Sequence, residues 1–250
     1  FCRASEGEAS EEFEQSFKEY IGTPYAITMP SARLGLFLIL KYLSLPEDSE
    51  IIISPFTHWS IFAVIKMFRL KPVFVDIDEH TCNIDPQATK RVINKNTKLI
   101  ILTHMWGQAC EMGHFMDLKK RFDIKIIEDC AMACGATYIN KKVGSFGDAS
   151  IFSFGKAKAI AAFGGGMLCT NDKGIGNAIL NDVAAFHYEH PGVLFSNVFS
   201  SIAANILTRP QIFFLTIYPI MRIFHIRDPY NPIEHKKDVP AFVESIPEQW

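Results

Sequence analysis

From residue 11 to residue 170, this chain alternates between short apolar runs and longer segments with helical periodicity. Runs with the length and composition of strands lie at 25–29, 51–53, 72–76, 99–102, 124–127, 150–154 and 166–170. Segments with helical character lie at 11–20, 34–45, 59–68 and 112–121. Strands that alternate with helices favour a mostly parallel sheet covered by helices on both faces. The sequence therefore predicts an α/β protein with three layers, α/β/α.

The length and apolar content of the chain allow a large core. Its 250 residues are 48% hydrophobic, which predicts one large domain at 1–190. An apolar helical hairpin is predicted at 191–226, and a proline-containing extended segment at 227–250. Neither half of the hairpin reaches the roughly 20 apolar residues that a spanning helix needs. The pattern favours packing of 193–226 on protein over contact with a membrane surface, and leaves the second open.

Charge and cysteine usage exclude several classes of function. The formal net charge is −2, and the basic residues are spread along the chain, which argues against a nucleic-acid partner. The six cysteines show no CxxC pair or zinc-like spacing, so no metal site is predicted and the cysteines are expected to be reduced and buried. Without a visible signal peptide, a cytoplasmic location is expected, and the missing initiator Met suggests a partial chain.

Two residues carry the predicted chemistry. Asp129 follows the strand at 124–127, and Lys158 lies 29 positions later, next to the strand at 150–154. Because strand ends gather at one edge of an α/β sheet, the two side chains are expected to meet there. A lysine that forms a Schiff base and a carboxylate that holds a protonated ring nitrogen are the groups that pyridoxal 5'-phosphate (PLP) requires. The sequence therefore predicts a PLP site.

Each residue also has an alternative interpretation. Asp129 could cap a helix, and Lys158 could be an exposed charge. A free lysine amine is almost wholly protonated at neutral pH, so Schiff-base chemistry favours an apolar setting. Lys158 has alanines on both sides, at 157 and 159, which fits this requirement. Lys156 is the second candidate for the same role.

A series of short motifs appears in order along the first 175 residues. They are Pro30-Ser31-Ala32-Arg33, Ser54-Pro55-Phe56-Thr57-His58, Val75-Asp76-Ile77-Asp78, Asn83-Ile84-Asp85, His104-Met105-Trp106-Gly107, Glu128-Asp129, Gly144-Ser145-Phe146-Gly147-Asp148, Phe152-Ser153-Phe154 and Gly165-Gly166-Met167. In this order they resemble the DegT/DnrJ/EryC1/StrS family of sugar aminotransferases. The resemblance implies the large domain of a fold type I PLP-dependent transferase, and a smaller C-terminal domain that would follow the end of this chain.

The resemblance also implies roles for individual residues. Lys158 would be the Schiff-base lysine, Asp129 the partner of the ring nitrogen, and His58 the ring that stacks on the cofactor. The residues expected to hold the phosphate are Ser31, Ala32, Arg33 and Ser153. Backbone amides in the turn before Leu34 suit an anion at a helix N-terminus. Arg33 would add charge there or face solvent, and His58 could instead be a polar loop residue beside a core-packed Trp59.

Three positions depart from the family pattern. Met132 stands where the family has a glutamine near the cofactor's phenolic oxygen, and Gly164 stands where a glutamate is common. The segment from Lys158 to Ala161, which includes Ala159, lacks the usual asparagine and glycine. These changes either alter substrate choice or mark a decayed site.

The resemblance implies transfer of an amino group, with glutamate as donor, to a keto group of a nucleotide-linked sugar in polysaccharide or secondary-metabolite biosynthesis. A homodimer is expected. Lys158 argues against a related dehydrating branch, which has histidine at this position. The alternative is a non-catalytic scaffold or regulatory protein that uses 193–226 as an interaction surface.

Overall fold

The computed structural model describes residues 8–155, 158–162, 164–184, 199–200, 202–203, 205–207 and 209–223. Helices before residue 185 are α1 (Glu8–Ile21), α2 (Ala32–Leu43), α3 (Trp59–Met67), α4 (Pro86–Val92), α5 (Met112–Phe122) and α6 (Lys173–Ala184), with a 3-10 turn at Met105–Gly107. Strands are β1 (Tyr25–Met29), β2 (Glu50–Ile53), β3 (Lys71–Phe74), β4 (Thr97–Thr103), β5 (Lys125–Asp129), β6 (Thr137–Tyr138), β7 (Lys141–Lys142), β8 (Ala149–Ser153) and β9 (Gly166–Thr170). Every predicted strand and helix before residue 185 is present, with small shifts at the ends.

The described residues form one seven-stranded sheet in the order β1-β9-β8-β5-β4-β2-β3. The pairs β2–β3, β2–β4, β4–β5 and β5–β8 are parallel, and β9 is antiparallel to both of its neighbours. The predicted mostly parallel sheet is confirmed. Because β1, β2, β4, β5 and β8 run in the same direction, the segments that follow them lie along one edge of the sheet.

Consecutive residues of the central strands pack on opposite faces of the sheet. On one face, Ile101 and Ile127 pack with Leu36 of α2. On the other face, Ile126 packs with Phe115 of α5. Strands buried on both faces are typical of a parallel sheet that lies between helices. The predicted three-layer architecture is confirmed.

Side-chain caps fix the starts of two helices. Ser31 Oγ accepts a hydrogen bond from the Leu34 amide at 3.2 Å, and Asp85 accepts one from the Gln87 amide at 2.7 Å. Proline occupies the first turn of α4, a position where its missing N–H costs nothing. The helix α4 was not expected from the sequence, although Asp85 followed by Pro86 is a helix-start signal. The helix α6 and the β6–β7 hairpin were not expected either.

The chain divides into two compact units, Phe1–Leu194 and Phe195–Trp250. In the second unit, helical backbone includes the consecutive segments Pro210–Ile212, Phe213–Ile217 and Tyr218–Ile223, the middle one with π-helical hydrogen bonding. No helix among the described residues is long and apolar enough to cross a membrane. The predicted boundary near residue 190 and the extended segment at 227–250 lie outside the described residues, and the predicted division stays a prediction.

The cysteines of the described residues are all free thiols. Cys110, Cys130 and Cys169 are buried, as expected. The expectation of burial is wrong for Cys82 and Cys134, which are partly exposed because both lie in segments between the regular elements rather than in the sheet. The sixth cysteine, at position 2, lies outside the described residues.

Candidate active site

The residues predicted to form the site come together along the edge where the parallel strands end. Thr103 at the end of β4 pairs in register with Asp129 at the end of β5. Ser153 at the end of β8 and Met29 at the end of β1 both pair with Gly166. Strand pairing therefore places the start of α2 and the ends of β4, β5 and β8 on one side of the molecule.

Asp129 is buried at this edge with a nearly unused carboxylate. Its side chain is 4% exposed, and its single hydrogen bond within the described residues comes from the Ala131 amide, at 3.0 Å. Burial raises the pKa of the Asp129 carboxyl, and the Ala131 amide and the charge of Lys158 only partly offset this. The helix-cap alternative is wrong, because residues 130–136 form no helix. The free carboxylate oxygen can accept a hydrogen bond from a cationic N–H group.

Lys158 is half-buried and lies in the electrostatic range of both Asp129 and His58. Its Nζ atom lies 3.2 Å from the Met132 Sδ atom. Within the part of the chain that the structure describes, Lys158 takes part in no ion pair. It is therefore neither a fully exposed charge nor an amine held by a carboxylate. Lys156, the second candidate, lies outside the described residues.

The start of α2 offers an anion site. The first intrahelical bond of α2 runs from the Gly35 amide to the Ser31 carbonyl, so the amides of Ala32 and Arg33 have no acceptor inside the helix. A Cβ atom at Gly166 would lie 2.6 Å from the Ala32 nitrogen, so only glycine lets β9 approach this turn. Free amides at the positive end of a helix suit a phosphate group.

His58, Arg33 and Trp59 lie beside this turn. The Nδ1 atom of His58 caps α3 by accepting from the Ser60 amide, and partial burial, Lys158 and Arg33 together lower the pKa of the His58 imidazole. The Arg33 guanidinium carbon lies 5.2 Å from the centre of the Trp59 ring, a cation–π geometry. Trp59 is 46% exposed, so the alternative in which it packs in the core is wrong. Arg33 is exposed and also adds positive charge. Stacking by His58 stays a prediction.

Two threonines of the site had no role expected from the sequence. The hydroxyl groups of Thr57 and Thr103 lie 2.8 Å apart and tie the loop before α3 to the end of β4. Thr57 belongs to the motif at 54–58, which could have indicated that it lies in the site. Thr103 ends an apolar strand, and only the sheet register shows that it lies beside Asp129.

Glu128, the neighbour of Asp129, lies in a different environment. Its carboxylate accepts hydrogen bonds from the His104 ring (3.1 Å) and from the amides of Gly144, Phe146 and Gly147 (2.7–2.8 Å). Burial alone would raise the pKa of Glu128, but the hydrogen bonds from His104, Gly147 and Gly144 outweigh it, and the pKa is lowered. We call these five residues the Glu128 cluster.

Two members of the Glu128 cluster, together with Cys130, form a group that has the composition of a metal site. The ligand atoms of His104, Glu128 and Cys130 lie within 4.8 Å of one another. Both oxygens of Glu128 already accept hydrogen bonds, and the His104 Nδ1 atom accepts one from the Cys110 amide at 3.0 Å. Burial raises the pKa of the Cys130 thiol to about 12. These atoms are committed to the fold, and no metal ligation is inferred from them.

The polar groups at the strand edge fit PLP. The carboxylate of Asp129 is suited to a protonated ring nitrogen, the amine of Lys158 to an aldehyde, and the α2 amides to a phosphate. Each of these groups lacks a competing strong partner among the described residues. The fit rests on unused polar atoms of this chain that lie along one edge of the sheet.

Comparison with known proteins gives consistent matches to one family. A model of the DegT/DnrJ/EryC1/StrS aminotransferase family matches residues 3–187. GDP-perosamine synthase from Escherichia coli O157:H7 is 36% identical over 170 residues, which cover 68% of this chain and 47% of that protein. The structure of an aminotransferase from Psychrobacter cryohalolentis matches with a TM-score of 0.67 and 35% identity, over 70% of this chain and 44% of the other.

A further solved structure carries the predicted cofactor. It is Escherichia coli GDP-4-keto-6-deoxy-D-mannose-3-dehydratase with bound hydrated PLP, matched with a TM-score of 0.68 and 28% identity over 70% of this chain and 47% of that chain. These solved relatives have the fold type I architecture expected from the sequence. The chain spans under half the length of the relatives it matches.

Proposed function

Because the chain belongs to the DegT/DnrJ/EryC1/StrS aminotransferase family, we propose that the protein moves an amino group from an amino acid to a keto group of a nucleotide-linked sugar, with PLP bound at the strand edge. The observation that carries the proposal is the pair of Asp129 and Lys158. Among the described residues, a buried carboxylate with a single side-chain hydrogen bond lies in the electrostatic range of a half-buried amine that has no ion-pair partner. Such a pair is costly to fold unless a ligand completes it.

Each residue has a distinct task in this proposal. When bound, PLP supplies a ring that accepts electrons from the substrate carbon. Asp129 would keep a proton on the ring nitrogen, because a buried carboxylate is strongly stabilised by a cationic donor. Lys158 would hold the cofactor through its amine, and that amine, once released, would serve as general base and acid for the substrate carbon.

The remaining predicted residues bind and orient. The amides of Ala32 and Arg33, with Ser31 and Ser153 beside them, hold the phosphate at the start of α2. The His58 ring would pack on the cofactor. Its lowered pKa favours the neutral imidazole, which avoids a second cation beside Lys158 and Arg33.

The substrate class rests on the relatives. GDP-perosamine synthase is named for a nucleotide-linked amino sugar, and we propose a substrate of the same kind, with glutamate as donor. We further propose a cytoplasmic homodimer that acts in polysaccharide or secondary-metabolite sugar biosynthesis, and no nucleic-acid partner.

A catalytically decayed scaffold is the second candidate. Met132, Ala159 and Gly164 favour it, and so do exposed apolar side chains between 193 and 226, such as Phe214 (66%) and Leu215 (76%), which would suit a protein or membrane-surface contact. The retained geometry of Asp129 and Lys158 supports the enzyme instead.

Absorbance with added PLP separates the two candidates. We expect a near-visible band, fixed by borohydride and mapped to a peptide containing Lys158. Lys158→Ala should remove the band. Lys41→Ala, which removes an exposed lysine paired with Asp182 at 2.8 Å, should keep it. A well-folded protein without the band would support the scaffold, and a band that survives Lys158→Ala would move the link to another lysine such as Lys156.

A further inference from the structure

The Lys158 amine has an unusual hydrogen-bond partner. Its Nζ atom lies 3.2 Å from the thioether sulfur of Met132, the one hydrogen bond of this amine within the described residues. Asp129 acts on Lys158 through its charge but forms no ion pair with it there. The position of the amine is therefore set by a neutral sulfur rather than by a carboxylate.

The turn that carries Met132 is itself fixed by hydrogen bonds. Asp129 Oδ1 accepts from the Ala131 amide at 3.0 Å, and the Cys130 carbonyl accepts from the Ala133 amide at 3.0 Å. Met132 lies between these two bonds. The Asp129 carboxylate thus orders the backbone that presents the sulfur to Lys158, so the three side chains form one unit.

A thioether differs from other polar partners in one chemical respect. Its sulfur is a weak acceptor and has no donor. It can accept an N–H of Lys158, but it cannot donate a hydrogen bond to the nitrogen lone pair, and it stabilises an ammonium less than a carbonyl or carboxylate oxygen does. The lone pair is what attacks an aldehyde. An acceptor without a donor therefore aims the amine while leaving its lone pair free.

We propose that Met132 is a positioning residue that aims the Lys158 amine for capture of an aldehyde. This inference rests on the proposed PLP function and adds a role for a residue that departs from the family pattern. Met132 is half-exposed, so its removal leaves the core intact. Under this proposal Met132 contributes to the rate of capture and to its pH dependence.

The test compares Met132→Leu, which keeps the apolar volume and removes the sulfur, with Met132→Gln, which offers an amide oxygen. The rate of capture of PLP by the apo-protein is followed by stopped-flow absorbance from pH 6 to pH 10. In parallel, mass spectrometry follows reductive methylation of Lys158 by formaldehyde and cyanoborohydride, which needs no PLP. Met116→Leu is the matched control, because Met116 is also partly buried but packs with the core cluster around Phe115 of α5.

We expect Met132→Leu to lower the maximal rates of capture and methylation by about 2- to 3-fold, the lower end of what one hydrogen bond contributes, because a thioether is a weak acceptor. Met132→Gln should move the midpoint of both pH profiles upward, because an amide oxygen holds the ammonium better. Met116→Leu should change neither. A merely structural role for Met132 would lower thermal stability without moving the pH midpoint.

Two results would overturn the inference, and they differ in whether the proposed function also fails. If the parent captures PLP on Lys158 and Met132→Leu matches it in rate and in pH profile, Met132 does not position the amine and the proposed function stands. If the parent captures no PLP on Lys158, both proposals fail.

Discussion

Glu128 and Asp129 are adjacent, buried carboxylates with opposite surroundings. Four donors surround Glu128, whereas Asp129 has one hydrogen bond among the described residues. Successive side chains of a strand point to opposite faces of the sheet. Glu128 thereby meets His104 and the turn at 144–147, and Asp129 meets the site that contains Lys158. A carboxylate with all its hydrogen bonds made stabilises the fold, whereas one with unused oxygens is available to bind a ligand.

The pKa directions express the same contrast. Burial acts to raise the pKa of both carboxyls. At Glu128 the hydrogen bonds outweigh burial, and the pKa falls below its usual value. At Asp129 they do not, and the pKa rises. Removal of the charge should therefore lower the free energy of unfolding at position 128 and raise it at position 129.

The largest effect is expected from Glu128→Gln. The amide turns one acceptor into a donor that faces backbone N–H groups, so the free energy of unfolding should fall by about 4 kcal/mol. Urea denaturation at pH 7 measures it. A change below about 1 kcal/mol, as expected for an exposed group, would contradict the structural role of the Glu128 cluster.

Gly144→Ala tests the turn that holds Glu128. Gly144 has φ +89°, and a Cβ atom there would overlap the ring of Phe152. Gly22 has a similar φ, +82°, with nothing within 4 Å of its would-be Cβ, so Gly22→Ala is the control for backbone strain alone. We expect losses of about 3 and about 1 kcal/mol in the free energy of unfolding. Equal losses would mean that the contact with Phe152 contributes nothing.

Asp129→Asn should stabilise the apo-protein by about 1 kcal/mol at pH 7, because the amide still accepts from Ala131 and removes a buried charge. A carboxyl with a raised folded-state pKa costs stability above that pKa. The gain from asparagine should therefore be complete above the folded-state pKa of Asp129 and vanish as the pH falls through that pKa towards 3.8, its usual value.

Denaturation measured over the same pH range distinguishes the two carboxylates by the sign of their contributions to stability. The stabilising contribution of Glu128 is present above its unfolded value of 4.5 and is lost as the pH falls through its lowered folded-state pKa. A loss of stability in Asp129→Asn at pH 7 would show that Asp129 has a strong partner already. PLP capture by this variant should also weaken, since the ring nitrogen loses its counter-charge.

The smallest effect is expected from Arg33→Ala. Arg33 lies over Trp59 and is one of the causes that lower the pKa of His58. Its removal should raise the pKa of His58 measured by NMR titration, with a stability loss of about 0.5 kcal/mol from the cation–π contact. Arg69→Ala, which removes an exposed partner of Glu47, should leave His58 unchanged. An unchanged His58 titration in Arg33→Ala would place Arg33 outside the site.

The family resemblance and the α/β fold were predictable because they rest on local patterns. Apolar runs such as 99–102 are continuous, as buried parallel strands require, and the family motifs keep their order. The helix α4 was missed because its seven residues make too few turns to show a helical periodicity in the sequence. The partial exposure of Cys82 was missed for another reason, since exposure in a turn depends on what the rest of the chain covers.

The sequence by itself determined the kinds of group available, a lysine among alanines and two acidic residues at a strand end. Only the tertiary structure decided which carboxylate serves which purpose, because the sheet order and the helices on each face choose what Glu128 and Asp129 meet. It also brought the Met132 sulfur to Lys158 and Arg33 to Trp59. Such contacts depend on the positions of separate chain segments, and local sequence patterns carry no information about those distances.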